Sequence, residues 1–235
     1  MDKKCLLLAV LASTSLLASE KTYWYNGDPN ILDALRQDVN GMGPGLTYDN
    51  FVVGAPGMMV SGLFSDDFMN ASISQAFWEI RSGVSEGNGG TVVASGTSAA
   101  TQTDTGLAGF HFEIYRVEIG GLHVYLTPGT YWLAVAPVLA GTAESSFVAT
   151  TSGTNAVGLP LAQDGNSYFN SSYYSSNFEA ATALLDPQLE DSGSVDFSEG
   201  VLGSPVPEPG TGLLAGGLML LAGALRAGVT DRGRR

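Results

Sequence analysis

Short stretches of alternating apolar and polar residues, cut at regular intervals by glycine and proline, constrain this chain more than any other feature. At residues 75–81, Ala76, Trp78 and Ile80 fall on one face and Phe77, Glu79 and Arg81 on the other. A period of two places successive side chains on opposite faces of an extended strand, which suits a sheet with one buried face. Strands are also predicted at 47–53, 58–64, 110–117, 122–127 and 130–136, with the same alternation at 110–117 and 122–127. A Gly-Ala-Pro-Gly turn at 54–57 separates the first two of these, and Pro128-Gly129 separates the last two. Further short strands are predicted at 91–94 and 145–151, with only short ones expected in the Ser-, Asn-, Gly- and Tyr-rich stretch 153–174. Residues 184–203 read as an acidic loop. Strands of this length between tight turns predict a mainly β fold, an antiparallel two-sheet sandwich of jelly-roll-like type. One short N-terminal helix is expected from Asp28 to about Val39, with Asp28 as cap, Pro29 in the first turn, and Ile31, Leu32 and Leu35 at helical spacing.

The two ends do not belong to that core. Residues 1–19 have the form of a signal peptide: Lys3 and Lys4, an apolar stretch from Cys5 to Leu17, then Ala18 and Ser19 as small residues for cleavage. Cys5 is the only cysteine, so the body at 20–204 has neither disulfides nor thiol chemistry. Its length suffices for one domain with an ample core. Between 20 and 204 only four basic residues, Lys21, Arg36, Arg81 and Arg116, stand against twenty acidic ones. Such a surface repels nucleic-acid phosphates and anionic membranes.

Residues 205–235 have three parts. Pro207-Glu208-Pro209 is a stiff breaker without helix. An uncharged run follows from 210 to 225 and reaches 229 if Arg226 snorkels, close to the length of about 20 residues that a bilayer core requires. Arg226, Arg232, Arg234 and Arg235 close the chain and, by the positive-inside rule, hold that end in the cytoplasm. A transmembrane helix is therefore expected at 210–229. This three-part layout resembles the PEP-CTERM sorting signal of Gram-negative bacteria. The resemblance implies export through the Sec translocon with signal-peptidase cleavage and a transient stay in the inner membrane. It further implies cutting near Pro207-Glu208-Pro209 by an exosortase-type membrane transpeptidase, then transfer to the cell surface, the extracellular matrix or exopolysaccharide. In the body, Tyr48-Asp49-Asn50-Phe51, the segment from Trp78 to Gly83 and the segment from Leu126 to Leu133 are similar to exported bacterial β-sandwich domains that carry such tails.

No catalytic constellation is evident, and the chain reads as non-enzymatic. Gly83-Val84-Ser85-Glu86-Gly87 has the form of a nucleophile elbow, but that chemistry needs a strand-to-helix turn, a base and an acid. The segment lies in a Gly-rich turn, and His111 and His123 are expected on strands. No resident cofactor is expected, with Ca²⁺ as the one candidate ion; the acidic positions for it are Asp66, Asp67, Asp164 and Asp191. Trp24, Tyr173 and Tyr174, with Tyr23, Tyr25 and Tyr168 near them, are candidates for an aromatic sugar platform, the alternative being that they pack the N-terminal segment and the long loop onto the sandwich. A carbohydrate-binding module, Ca²⁺-dependent or not, is therefore the alternative to a structural surface protein.

Overall fold

The computed structural model describes residues 21–161, 164–185 and 195–206. In chain order the strands are β1 (Lys21–Tyr25), β2 (Pro29–Arg36), β3 (Leu46–Val53), β4 (Met58–Met69), β5 (Gln75–Ser82), β6 (Thr91–Ala99) and β7 (Thr101–Gly109). They continue as β8 (Phe112–Ile119), β9 (Val124–Leu126), β10 (Gly129–Pro137), β11 (Ser146–Thr151), β12 (Tyr168–Ser171), β13 (Ser176–Ala180) and β14 (Glu199–Pro205).

Two antiparallel sheets result. Twelve-residue β4 is the spine of the first. One of its edges carries β14 and then β11, with β1 and β2 beyond them; the other carries β9 and β8, with β7 outermost. The second sheet runs β13-β12-β3-β10-β5-β6. The sheets face each other across one main core. Phe51 and Val53, Ala76, Trp78 and Ile80, and Tyr131, Leu133 and Val135 come from the second sheet. They meet Trp24, Met58, Val60, Leu63, Val117, Ile119 and Val201 of the first. Burying side chains of this size is worth about 1.5–3 kcal/mol each. The alternation at 75–81 is thus the inner face of β5, as the pattern predicts. A smaller cluster of Tyr48, Trp132 and Phe178 sits on the outer side of the second sheet, where Trp132 Nε1 donates to Asn166 O at 3.0 Å.

Four readings need correction. The helix expected after Asp28 is strand β2, which pairs with β11 in the register Ala34↔Ala149, Leu35↔Val148 and Arg36↔Phe147. Side-chain ties reinforce that ladder: Asn30 Nδ2 donates to Thr151 O at 2.9 Å, and Thr150 Oγ1 donates to Asn30 Oδ1 at 2.6 Å. Ile31 and Leu32 remain exposed, so the helical spacing buries no face and cross-strand pairing prevails over local propensity. Second, the strand predicted to end at Phe64 continues to Met69, and it takes Asp66 and Asp67 into the sheet instead of a loop. Third, 91–94 extends to Ala99, the chain bends at Ala100 into the opposite sheet as β7, and Phe110 and His111 form the two-residue turn into β8 with φ of 53° and 67°. Paired left-handed residues are what a type I′ hairpin needs. Fourth, the acidic stretch read as a loop ends in β14, an interior strand between β1 and β4.

Among the described residues the one helical element is the 3₁₀ turn Ala181–Ala183, and no helix is long and apolar enough to cross a membrane. The leader at 1–19 and the segment expected as a transmembrane helix at 210–229 lie outside the described residues, as do Pro207, Glu208, Pro209, Arg226, Arg232, Arg234 and Arg235.

Candidate functional site

A polar seam crosses the apolar interior. On β4, alternation turns Ser65 and Asp67 inward; on β3 it turns Thr47 and Asp49 inward, in line with Phe51 and Val53. Glu199, at the start of β14, and Gln37, just after β2, complete the seam. All six are fully buried. Gln37 Nε2 donates to Glu199 Oε1 at 3.1 Å and to Val135 O at 3.0 Å, while its Oε1 accepts from Thr47 N at 2.6 Å. Asp67 accepts from the hydroxyls of Ser65 and Ser146. Asp49 Oδ2 accepts from Phe197 N at 2.6 Å and Asn26 Nδ2 at 2.7 Å.

Burial drives the electrostatics of the seam. It lifts the Asp49 carboxyl well above the ordinary carboxylate range, and the neighbouring charges of Asp196 and Asp164 lift it further. Burial raises Asp67 in the same way, with Asp66 adding to it, against the hydrogen bonds from Ser65 and Ser146. Glu199 is pushed up by burial and then by Asp49 and Asp67. Asp38 is raised by burial, although Arg36 Nε lies 3.0 Å from its Oδ2 and opposes the shift.

A second charged nest lies on the far side of β4. Asp66 is fully buried and bound at both oxygens by Arg116, Nε to Oδ1 and Nη2 to Oδ2, each at 2.8 Å. Ser198 Oγ adds a donor at 2.7 Å, and Tyr25 OH another at 3.3 Å. The guanidinium also covers the Phe64 ring at 4.2 Å. Burial first, and Asp66 second, push the Tyr25 phenol far above its usual value.

The candidate residues therefore separate. Asp66 and Asp67 are interior groups that already have partners: an arginine for the first, two hydroxyls for the second. Asp164 is exposed, and Asp191 lies outside the described residues. Asp164 meets Asp196, because Asp164 N and Gly165 N both donate to the Asp196 carboxylate, at 2.8 and 3.0 Å. Among the described residues no three acidic, histidine or cysteine side chains form a ready metal-ligand set.

Trp24 is not available as a sugar platform. It is fully buried in the main core, 5.6 Å from the Phe51 ring. Tyr173 and Tyr174 are 63% and 50% exposed and meet edge to face at 4.9 Å. They rest on Gly43, where φ is 79° and an added Cβ would approach the Tyr173 ring to 2.8 Å. Beside them lies a cleft of about 510 Å³ whose lining includes Asp38, Asn170, Ser172 and Asn177. Tyr174 itself lines a second cleft of about 460 Å³ with Arg36, Phe147 and Glu179.

No family model, curated protein or solved structure matches this chain. Functional arguments therefore rest on its own residues. Ser85 is exposed in a turn closed by mutual backbone bonds with Asn88, at 2.9 and 2.8 Å, and is followed by Gly87 and not by a helix. His111 occupies the β7–β8 turn and His123 the link before β9. No hydrogen bond joins Ser85 to either histidine, so these residues do not assemble the triad that a serine nucleophile requires.

Proposed function

We propose that this chain is an exported, surface-sorted, non-enzymatic protein whose jelly-roll-like body serves in the extracellular matrix, in exopolysaccharide or in the cell envelope. The observation that carries this reading is the arrangement of Pro207-Glu208-Pro209, an uncharged run and four terminal arginines, preceded at the other end of the chain by a leader. An exosortase-type transpeptidase acting at that breaker releases the body from the inner membrane. β14 ends at Pro205 and Val206 N donates to Gly57 O at 3.0 Å, so the described body closes immediately before the breaker in sequence. The experiment is to express the chain in its host with Pro207-Glu208-Pro209 replaced by Ala-Ala-Ala. Retention of the altered chain in the inner membrane supports the reading; unchanged delivery to the surface refutes it.

A second reading is favoured by the Tyr173–Tyr174 pair. Two exposed rings held on a glycine, beside a cleft with amide and hydroxyl groups, suit an apolar sugar face and its hydroxyls. In this reading the body binds the polysaccharide into which it is delivered. Binding to the host's own polysaccharide that is lost with Tyr173→Ala supports it, and binding unaffected by Tyr173→Ala refutes that site.

A further inference from the structure

Among the described residues, β1, β2, β6, β7, β9 and β13 each have an open side, and all but β6 are guarded. β1 begins with Lys21, β2 has Pro29, Asp33 and Arg36, β13 has Glu179, and β9 is only three residues long. β7 holds Asp104, and its register with β8 breaks between Asp104 and Ala108. Charge, proline, bulges and shortness are the usual means by which an edge avoids pairing with another chain. β6, Thr91–Ala99, is nine residues long and has neither charge nor proline. Its side away from β5 has no strand partner among the described residues.

Charge singles out the same edge. Four basic residues stand against twenty acidic ones in the body, so two copies repel each other over most of their surface. Between Glu86 and Asp104 no residue is charged, and here two copies meet with least repulsion. The ladder with β5 steps from Ile80↔Ala94 to Arg81↔Val92, which makes Val93 a bulged extra residue and leaves Ala94–Ala99 as the regular stretch. Within that stretch Ala94, Gly96 and Ser98 pair with the core positions Ile80, Trp78 and Ala76 and are half-buried. Ser98 Oγ accepts from Trp78 Nε1 at 3.0 Å, which fixes the strand on the core. Ser95, Thr97 and Ala99 form the exposed row, and none of them is large enough to block approach along the edge.

We propose that β6 pairs with β6 of a second copy of this chain, antiparallel about a two-fold axis at Thr97, so that the two six-stranded sheets become one continuous sheet. A second copy is the occupant because the edge offers no charge to attract a partner of opposite sign, and its row of small Ser, Thr, Ala and Gly residues fits its own reverse. Directly opposite residues of an antiparallel pair share a face, so the axis passes through a residue position and not between two. An axis at Thr97 sets Thr97 against Thr97 and Ser95 against Ala99, with bulged Val93 outside the paired stretch. An axis at Gly96 would instead bring Val93 opposite Ala99. Opposed threonines are a favourable cross-strand pair. The contact is isologous, so it closes at two copies and does not run on into a filament. It involves the body alone and does not rest on the processing of the tail.

The test is site-directed cross-linking of the full-length chain in detergent, with Cys5→Ser to remove the native thiol. Directly opposite residues have Cβ atoms about 4.5–5.5 Å apart, within reach of a short thiol-specific cross-linker. Thr97→Cys should form dimers by itself. Ser95→Cys and Ala99→Cys should each form few alone and many when mixed. Ser172→Cys, at an exposed position away from β6, reports random collision. In sedimentation velocity Thr97→Lys, which sets two cations against each other at the axis, should convert the dimer to monomer with the melting temperature unchanged. Thr97→Cys dimers no more abundant than those of Ser172→Cys would overturn the proposal. So would Ser95→Cys and Ala99→Cys that cross-link as readily alone as when mixed. A dimer that survives Thr97→Lys would also overturn it and place the contact elsewhere in the chain, the apolar run at 210–225 included.

Discussion

Replacing Arg116 by methionine removes the arginine bound to Asp66. In the intact chain the buried carboxylate has two arginine N–H bonds at 2.8 Å, a serine hydroxyl at 2.7 Å and a tyrosine hydroxyl at 3.3 Å. After Arg116→Met the two hydroxyls remain and the charge is left uncompensated in the sheet. Breaking a buried pair by removing one partner costs about 3–5 kcal/mol. The Arg116 side chain is 35% exposed, so water can reach part of the vacated space, and the lower end, about 3 kcal/mol, is expected. Methionine retains contact with the Phe64 ring, which limits the packing loss. For a body of this size each kcal/mol moves the midpoint by roughly 2–4 °C, so Tm should fall by roughly 6–12 °C. Asp66→Asn, which removes the charge, should recover part of the loss when combined with Arg116→Met. Urea unfolding followed by tryptophan fluorescence gives all four corners of that cycle. A loss below about 1 kcal/mol in Arg116→Met, or strict additivity of the two changes, would refute the argument that this pair is buried and coupled.

Stability should also depend on pH through Asp67 and Glu199. Burial raises both above their unfolded values, so their contribution is complete below about pH 4 and declines as pH rises toward the folded values, by about 1.4 kcal/mol per pH unit for each group. In EDTA the urea midpoint should be higher at pH 5 than at pH 7.5, and Glu199→Gln should flatten the slope; a midpoint that rises with pH contradicts this. Gly200→Ala would place a Cβ 2.2 Å from the Phe64 ring, and thermal unfolding should report a loss of about 1–3 kcal/mol; an unchanged midpoint would mean that the ring moves freely. Tyr173→Ala should leave the unfolding free energy within about 0.5 kcal/mol of the parent, as befits an exposed ring, while polysaccharide pull-down is lost.

Much of the sandwich is legible in the chain because its inner strands alternate: Ala76, Trp78 and Ile80 mark one face of β5, and Trp132 lies beside core positions Tyr131 and Leu133. Strands without that signature are hidden for physical reasons. β6 and β7 are exposed edge strands rich in serine, threonine and glycine, with little apolar face to reveal them. β14 is interior yet carries Gly200 and Gly203, which read as loop residues. Both permit close approach, since a Cβ on Gly203 would lie 2.3 Å from Met59 O. β2 misleads because Pro29 and the spacing of Ile31 and Leu35 imitate a helix start, and its pairing with β11 is more than a hundred residues away. The polar seam is hidden for a similar reason. Asp49, Glu199 and Gln37 are brought together by topology alone, and nothing local distinguishes them from the many surface acids.

Sorting through the tail is the central claim, and intact mass of the mature protein from the surface or medium of its native host tests it most directly. The account predicts a mass without the leader and without everything beyond the region of Pro207-Glu208-Pro209. A mass that still includes 210–235 would contradict it and leave a plain membrane anchor.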